Sequence, residues 1–165
     1  MQEVNHLNRT LRWTPRGIEY ETDHKHVKAV LEALGPVGVK VKTPFERVKI
    51  EDRDMKLLPV PQAVEHRSLA MRIGYLGQDR VDLQRAVREL SMGLAQPTEY
   101  HWKCLKRVGR YLRHAPTWIQ MHTYAESMTH LEVFCDADHA GCLRTRKSMT
   151  GVVMTMAGSI VRSYC

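Results

Sequence analysis

The spacing of apolar residues changes several times along the chain, and each spacing predicts a type of element. Near the N-terminus, residues 10–14 and 17–21 alternate on either side of Pro15-Arg16, which predicts a short β-hairpin. Thr22 or Asp23 is then expected to cap a helix that ends at Gly35-Pro36. Residues 37–61 mix Gly, Pro and charge without a clear period, so we interpret them as a linker.

The middle of the chain has helical spacing. Apolar residues recur every three or four positions in residues 62–77 and again in 81–95, which predicts two helices. Residues 78–80 form the hinge, and Asp79 is a candidate cap for the second helix.

A third helix is predicted between Pro97 and Ala115, with an apolar stripe beside a cationic stripe. Glu99 is the single acid in this segment. The cationic stripe contains Lys103, Lys106, Arg107, Arg110 and Arg113. Either a solvated surface or a phosphate-binding surface explains such a stripe.

The C-terminal part alternates with the period of β-strands. We expect residues 118–124 and 130–135 to form antiparallel strands, followed by strands at 149–157 and 160–164. No helix is predicted to cover this sheet, so an exposed apolar face, open edges and self-association are expected.

One of these strands carries two carboxylates. Leu131, Val133 and Cys135 are expected on its core face, whereas Asp136 and Asp138 lie on the other face. Two-metal phosphodiester hydrolysis needs several carboxylates around ions roughly 3.5–4 Å apart, and one strand supplies one or two. From the residues alone, the favoured explanation is that Asp138 before His-Ala-Gly simply begins a turn. Further bases follow with no acid among them: Arg144, Arg146, Lys147 and Arg162.

Composition narrows the class of protein. The 165 residues are 43% hydrophobic and carry a net charge of +7, which allows one ordinary core, or two small ones, and a polyanionic partner. No apolar run is long enough to span a bilayer and no charged-then-apolar leader begins the chain, so we expect an intracellular protein, cytoplasmic or nuclear. The four cysteines form no Cys-x-x-Cys pair, in keeping with a reducing compartment.

Three segments resemble one family in the same order. The stretch from Asp136 to Cys142, with Arg-Lys-Ser-Met-Thr-Gly after it, resembles the Asp-Ala-Asp-Trp-Ala-Gly…Arg-Lys-Ser-Thr-Ser-Gly signature of the ribonuclease H domain in copia-type LTR retrotransposon polyproteins. Residues 67–87 resemble the family's Tyr-Arg-Ser-Leu…Arg-Pro-Asp-Ile…Ala-Val segment, and 97–112 its Pro-Thr-x-x-His-Trp helix. His66, Val81 and His139 depart from the family's Tyr, Pro and Trp.

This resemblance implies an α+β fold, in which the hairpin and helices of a polymerase thumb and connection precede the first strands of a ribonuclease H-like mixed sheet. It divides the chain into the end of a palm and start of a thumb (1–36), a linker (37–61), a helical connection (62–116) and a truncated ribonuclease H-like part (117–165). Asp136 would be the first catalytic carboxylate and a Mg²⁺ ligand, while the helical bases, Arg144, Arg146 and Lys147 would contact nucleic acid.

The implied function is that of a reverse transcriptase and ribonuclease H fragment that binds an RNA/DNA hybrid or DNA. The resemblance places the polymerase acids before Met1 and the later ribonuclease H acids after Cys165, so the chain alone is expected to be inactive, or to need the missing polyprotein parts. The alternatives are a non-catalytic basic nucleic-acid-binding module and a structural or assembly fragment.

Overall fold

The computed structural model describes residues 2–47, 50–127, 129–142 and 146–165. It divides into two compact units, a helical unit (Thr22–Trp118) and a strand unit formed by Met1–Glu21 with Ile119–Cys165. Helices and antiparallel sheets are both present, which confirms the predicted α+β class. Among the helices of the described residues, none combines the length and apolar character that a membrane crossing requires.

The helical unit is built from four α-helices and two short 3-10 helices in the described residues. The 3-10 helices cover Asp52–Met55 and Val81–Leu83. The α-helices are α1 (His24–Leu34), α2 (Val60–Leu76), α3 (Gln84–Met92) and α4 (Glu99–His114).

The ends of α1 lie where the sequence predicts them. The Asp23 carboxylate accepts a hydrogen bond from the backbone N–H of Lys25 at 2.6 Å, satisfying one of the donors that a helix start leaves unpaired. Gly35 follows the last turn with a φ of 59°, a left-handed conformation that glycine adopts without steric cost.

One apolar core joins the four helices. Its buried side chains mostly recur every third or fourth residue, so each helix contributes one stripe. The fully buried ones include Val30 of α1, Ile73 of α2, Leu83 and Leu90 of the α3 region, and Leu105 and Leu112 of α4. Each such side chain stabilises the fold by about 1.5–3 kcal/mol relative to an exposed one.

The segment predicted to be a linker packs on this core. Val41 and Phe45 are partly buried against it, and Leu57 forms an isolated antiparallel bridge with Thr98. The 3-10 helix Asp52–Met55 lies inside the segment, and α2 begins at Val60, before the predicted boundary. The segment is therefore part of the helical unit.

A buried arginine lies in the connection between α2 and α3. Arg80 is fully buried and donates to Asp82 at 2.7 and 3.3 Å and to the Ala115 carbonyl at 2.9 Å. Its guanidinium carbon lies 5.8 Å from the ring centroids of both Tyr111 and Trp118. The prediction that Asp79 caps the second helix is wrong, because Arg80 and Leu83 occupy the cap positions.

The strand unit contains two antiparallel sheets. In the first, β1 (Gln2–His6), β2 (Arg9–Thr14), β3 (Gly17–Glu21) and β4 (Ile119–Thr123) lie in that order. The β2–β3 pairing confirms the predicted hairpin, with Leu11 opposite Tyr20. The strand after Trp118 forms as predicted, but it pairs with β3 through Tyr20 and Gln120, not with the strand that follows it.

The second sheet has the order β5 (Leu131–Asp138), β6 (Met149–Met156) and β7 (Ser159–Tyr164). The prediction that Leu131 and Val133 face a core is wrong, because their side chains are 54% and 49% exposed. The expected exposed apolar face is confirmed, since Tyr164 on β7 is also about half exposed. An open antiparallel sheet without a covering layer leaves such side chains in water.

Candidate nucleic-acid interface

Local sequence sets both the start and the orientation of α4. Thr98 is the N-cap, its side chain accepts from the His101 backbone, and the His101 ring bonds back to the Thr98 N–H at 3.1 Å. This reciprocal arrangement corresponds to a capping box in which His replaces the usual Glu or Gln. Arg113 and His114 occupy the last turn, where positive charge complements the helix dipole.

The helix presents its apolar stripe inward and its bases outward. Leu105 and Leu112 are fully buried and Val108 nearly so, which fixes the rotation of the helix about its axis. Lys103, Lys106 and Arg113 are exposed, whereas Arg107 and Arg110 are partly buried. The prediction of a helix with a core face and a cationic face is confirmed; its contact with nucleic acid stays a prediction.

Two of the five bases are engaged by acids of the segment before α2. Lys103 forms an ion pair with the buried carboxylate of Asp54. The hydrogen bond from Lys103 lowers the pKa of Asp54 below its ordinary value, and the Glu51 backbone N–H adds to this effect. Arg107 pairs with Glu46 at 2.6 Å and donates to the Thr43 hydroxyl at 2.9 Å.

The other three bases have no acid partner within the described residues. The Lys106 ammonium lies 5.7 Å from the Trp102 ring centroid, a cation–π distance that leaves the exposed ammonium accessible. The Arg110 Nε is buried without a hydrogen-bond partner, and Arg113 is exposed in the last turn. These three bases follow one another at spacings of three and four residues, so they form one cationic stripe.

The second predicted cluster lies in the connection between β5 and β6. Arg144 lies outside the described residues, and Arg146 and Lys147 are exposed. The connection is closed by backbone hydrogen bonds, in which the Arg146 N–H donates to the Cys142 carbonyl at 2.8 Å and the Cys142 N–H to the Lys147 carbonyl at 3.1 Å. These two bonds tie the backbone of Arg146 and Lys147 to Cys142.

The two aspartates of β5 differ in their surroundings. Asp136 is exposed and lies opposite Gly151 on β6. Asp138 accepts the Met149 N–H at 2.6 Å, and its carboxylate packs so closely on Gly141 that a methyl group there would meet it at 1.8 Å. Asp138 thus organises the turn, the simpler of the two explanations that the sequence allowed.

The carboxylates of the described residues do not form a complete magnesium site. Within those residues, no group of three or more His, Cys, Asp or Glu side chains is arranged to hold a metal ion. Asp136 would supply one carboxylate to a Mg²⁺ ion, whereas two-metal hydrolysis requires several.

Sequence reasoning missed the acids that contact α4. Glu46 and Asp54 lie in a segment without periodicity, so nothing local indicates that they reach Lys103 and Arg107. Glu89 was also missed, although it carries a signal: it is an acid one position before Leu90 and three after Ala86, on the buried stripe of α3. It is 7% exposed and accepts a hydrogen bond from Tyr100 at 2.9 Å.

Comparison with known proteins places these features in a family. The chain is 27% identical over 148 residues to the uncharacterized mitochondrial protein AtMg00810 of Arabidopsis thaliana, covering 89% of this chain and 60% of that protein. It is 34% identical over 95 residues to the retrovirus-related Pol polyprotein from transposon RE2 of Arabidopsis thaliana, covering 58% of this chain and 6% of the polyprotein. It is 30% identical over 152 residues to the retrovirus-related Pol polyprotein from transposon TNT 1-94 of Nicotiana tabacum, covering 85% of this chain and 11% of that polyprotein.

The chain spans less than two thirds of each of these relatives. No protein-family model matches it, and no solved structure gives a significant match. Because the match to the tobacco polyprotein extends over most of the chain, the chain corresponds to a segment of a copia-type retrotransposon Pol polyprotein.

Proposed function

We propose that this chain binds the phosphate backbone of nucleic acid through the outer face of α4, with an RNA/DNA hybrid as its ligand class. The observation that carries the proposal is the stripe of Lys106, Arg110 and Arg113, which lack an acid partner in the described residues. The stripe extends over about two helical turns, roughly 11 Å, and a duplex presents several phosphates over that length.

Binding of this kind is electrostatic and reads little sequence. Lysine and arginine contacts to phosphate fix position on a duplex, whereas contacts to base edges specify sequence. Lys103 and Arg107 contribute less to the stripe, because Asp54 and Glu46 already neutralise them. Arg146 and Lys147 are proposed as further backbone contacts.

We further propose that the chain alone does not hydrolyse the RNA strand. Asp136 is the carboxylate that the ribonuclease H resemblance assigns to Mg²⁺, and the described residues supply no set that would complete the site. Activity would require carboxylates from elsewhere in a polyprotein.

The experiment is a salt series of hybrid binding, followed by fluorescence anisotropy. We expect the affinity to fall steeply between about 50 and 200 mM salt. Charge reversal in Lys106→Glu/Arg113→Glu should weaken binding and reduce the slope of log K against log salt by about 2. The matched control is Arg72→Glu with Lys25→Glu, which reverses two exposed charges on α2 and α1.

If the salt slope changed equally in both double variants, a specific role for α4 would be contradicted. The net charge of the chain would then be sufficient to explain the binding. Cleavage of the hybrid in Mg²⁺ is measured in the same samples beside Asp136→Asn. Cleavage that Asp136→Asn abolishes would overturn the proposal of an inactive segment, because it would mean that further acids complete the site.

A second candidate, an assembly function, is favoured by the exposed apolar residues of the β5–β6–β7 sheet. Leu131, Val133 and Tyr164 are each about half exposed. Uncovered sheet faces and edges promote association. Sedimentation over a concentration series tests this candidate, and a constant monomer would contradict it.

A further inference from the structure

A cavity of about 320 Å³ lies within the helical unit, between α3, α4 and the segment that precedes α2. This volume is at the lower end of the range of small-molecule binding sites. Phe45, Tyr100 and Cys104 are among its walls, together with the buried carboxylate of Glu89. Arg110 of the helix stripe also lines this cavity, whereas Lys106, Arg113 and Asp136 do not.

The charges of the cavity wall mostly cancel in pairs. Lys103 pairs with Asp54 and Arg107 with Glu46, as described above, and Arg53 pairs with Glu51 at 2.6 Å. Two charged residues of the wall remain without an opposite partner in the described residues. They are Glu89 and Arg110.

Glu89 offers a hydrogen-bond acceptor to the cavity. Its Oε1 accepts the Tyr100 hydroxyl, and in the described part of the chain its other oxygen has no donor. Burial, with Glu89 nearby, raises the pKa of Tyr100 above its ordinary value, so the hydroxyl keeps its proton and donates. Burial also raises the pKa of the Cys104 thiol to about 11, which keeps this neighbour uncharged. The second carboxylate oxygen of Glu89 is therefore left to accept hydrogen bonds from a ligand.

Arg110 offers the complementary charge. Its Nε is buried and has no hydrogen-bond partner, and it lines the same cavity. Tyr100 lies in the first turn of α4 and Arg110 near its last, so the acceptor and the cation are at opposite ends of the α4 wall. An elongated ligand with donors at one end and an anion at the other would satisfy both groups.

The cavity also has an aromatic side chain in its wall. Phe45 lines the cavity, while the Arg85 guanidinium, which does not line it, lies over the Phe45 ring at 4.5 Å. Nucleobases stack on aromatic side chains.

We propose that this cavity binds a guanine nucleotide. A carboxylate only accepts hydrogen bonds, and the Watson–Crick edge of guanine presents two adjacent donors, the ring N–H and the exocyclic amine. Adenine presents its exocyclic amine beside an unprotonated ring nitrogen, which a carboxylate repels. Arg110 binds the phosphate, a role in which a guanidinium forms directional hydrogen bonds. The nucleotide is either free or part of a bound strand.

The test is calorimetric titration of the full chain with GMP, AMP, guanosine and inorganic phosphate, in the absence of any strand. We expect GMP to bind at least tenfold more tightly than AMP. In Glu89→Gln this preference should disappear, although the amide oxygen still accepts the Tyr100 hydroxyl. In Arg110→Met, GMP affinity should fall at least tenfold while guanosine affinity stays unchanged.

Glu65→Gln and Arg72→Met, both exposed on α2, are the matched controls, and thermal unfolding verifies that each variant is folded. Equal binding of GMP and AMP, no binding of either, or a GMP preference that survives in Glu89→Gln would overturn the proposal. Because no strand is present, these results are independent of the proposed hybrid binding.

The source of the nucleotide is distinguished by competition. A labelled oligonucleotide with a single unpaired guanosine is titrated in the presence of saturating GMP. Displacement of the guanosine oligonucleotide, but not of one with adenosine, shows that the cavity accepts a nucleotide within a strand. Oligonucleotide binding that GMP leaves unchanged restricts the site to free nucleotide.

Discussion

The ion pair between Arg80 and Asp82 gives the sharpest prediction for stability. Arg80 is fully buried, so its charge depends on Asp82, which accepts two hydrogen bonds from it and a third from Tyr111 at 2.7 Å. The change Asp82→Asn preserves the shape of the side chain but removes the negative charge. An uncompensated buried guanidinium would then remain between Tyr111 and Trp118.

Breaking a buried ion pair from one side costs about 3–5 kcal/mol. We expect the lower end of this range, about 3 kcal/mol, because the Asn oxygen still accepts one hydrogen bond and the Ala115 carbonyl still accepts from Arg80. Native proteins are stable by about 5–15 kcal/mol, so this loss is a large fraction of the total. For a chain of this size the melting temperature should fall by roughly 6–12 °C.

Urea unfolding followed by circular dichroism measures the effect. The control is Asp52→Asn, because Asp52 is exposed and surface substitutions usually change stability by less than about 0.5 kcal/mol. Replacing both partners, in Arg80→Met/Asp82→Leu, should cost less than Asp82→Asn alone, since an apolar pair leaves no unpaired charge. An Asp82→Asn variant within 1 kcal/mol of the wild type would refute this account of Arg80.

Two further predictions concern His66 and the turn after β5. Both His66 nitrogens are buried without hydrogen-bond partners, and burial, with Arg67 nearby, lowers the pKa of His66 below its ordinary 6.5. As the pH falls, His66 therefore takes up a proton in the unfolded chain before it does so in the folded one. The free energy of unfolding should decrease below about pH 6.5, by at most about 1.4 kcal/mol per pH unit. Between pH 7.5 and 5.5 the urea midpoint of His66→Leu should fall less than that of the wild type. Gly141→Ala should lower the free energy of unfolding by about 1–3 kcal/mol, because the new methyl group would overlap the Asp138 carboxylate. Gly151→Ala is the control, since its methyl group would enter open space, and equal melting temperatures of the two variants would contradict this account.

The sequence predicts those parts of the fold in which neighbouring residues decide the structure. The cap at Asp23, the end of α1 at Gly35 and the two faces of α4 all depend on residues within a few positions of one another. The pairing of β4 with β3 depends on residues about a hundred positions apart, and the alternation of β4 fits any antiparallel partner. Long-range pairing is therefore the part of the fold that local pattern leaves open.

The same distinction separates the bases of the candidate interface. Helical spacing places five bases beside the apolar stripe of α4, but it counts Lys103 and Arg107 as equivalent to Lys106 and Arg113. Asp54 and Glu46 neutralise Lys103 and Arg107, and these acids belong to a segment without periodicity. A net charge of +7 is therefore a poor measure of the positive charge that nucleic acid meets on this helix. Since a polyanion must compete with Asp54 and Glu46 for two of the five bases, the unpaired bases should dominate the salt dependence of binding.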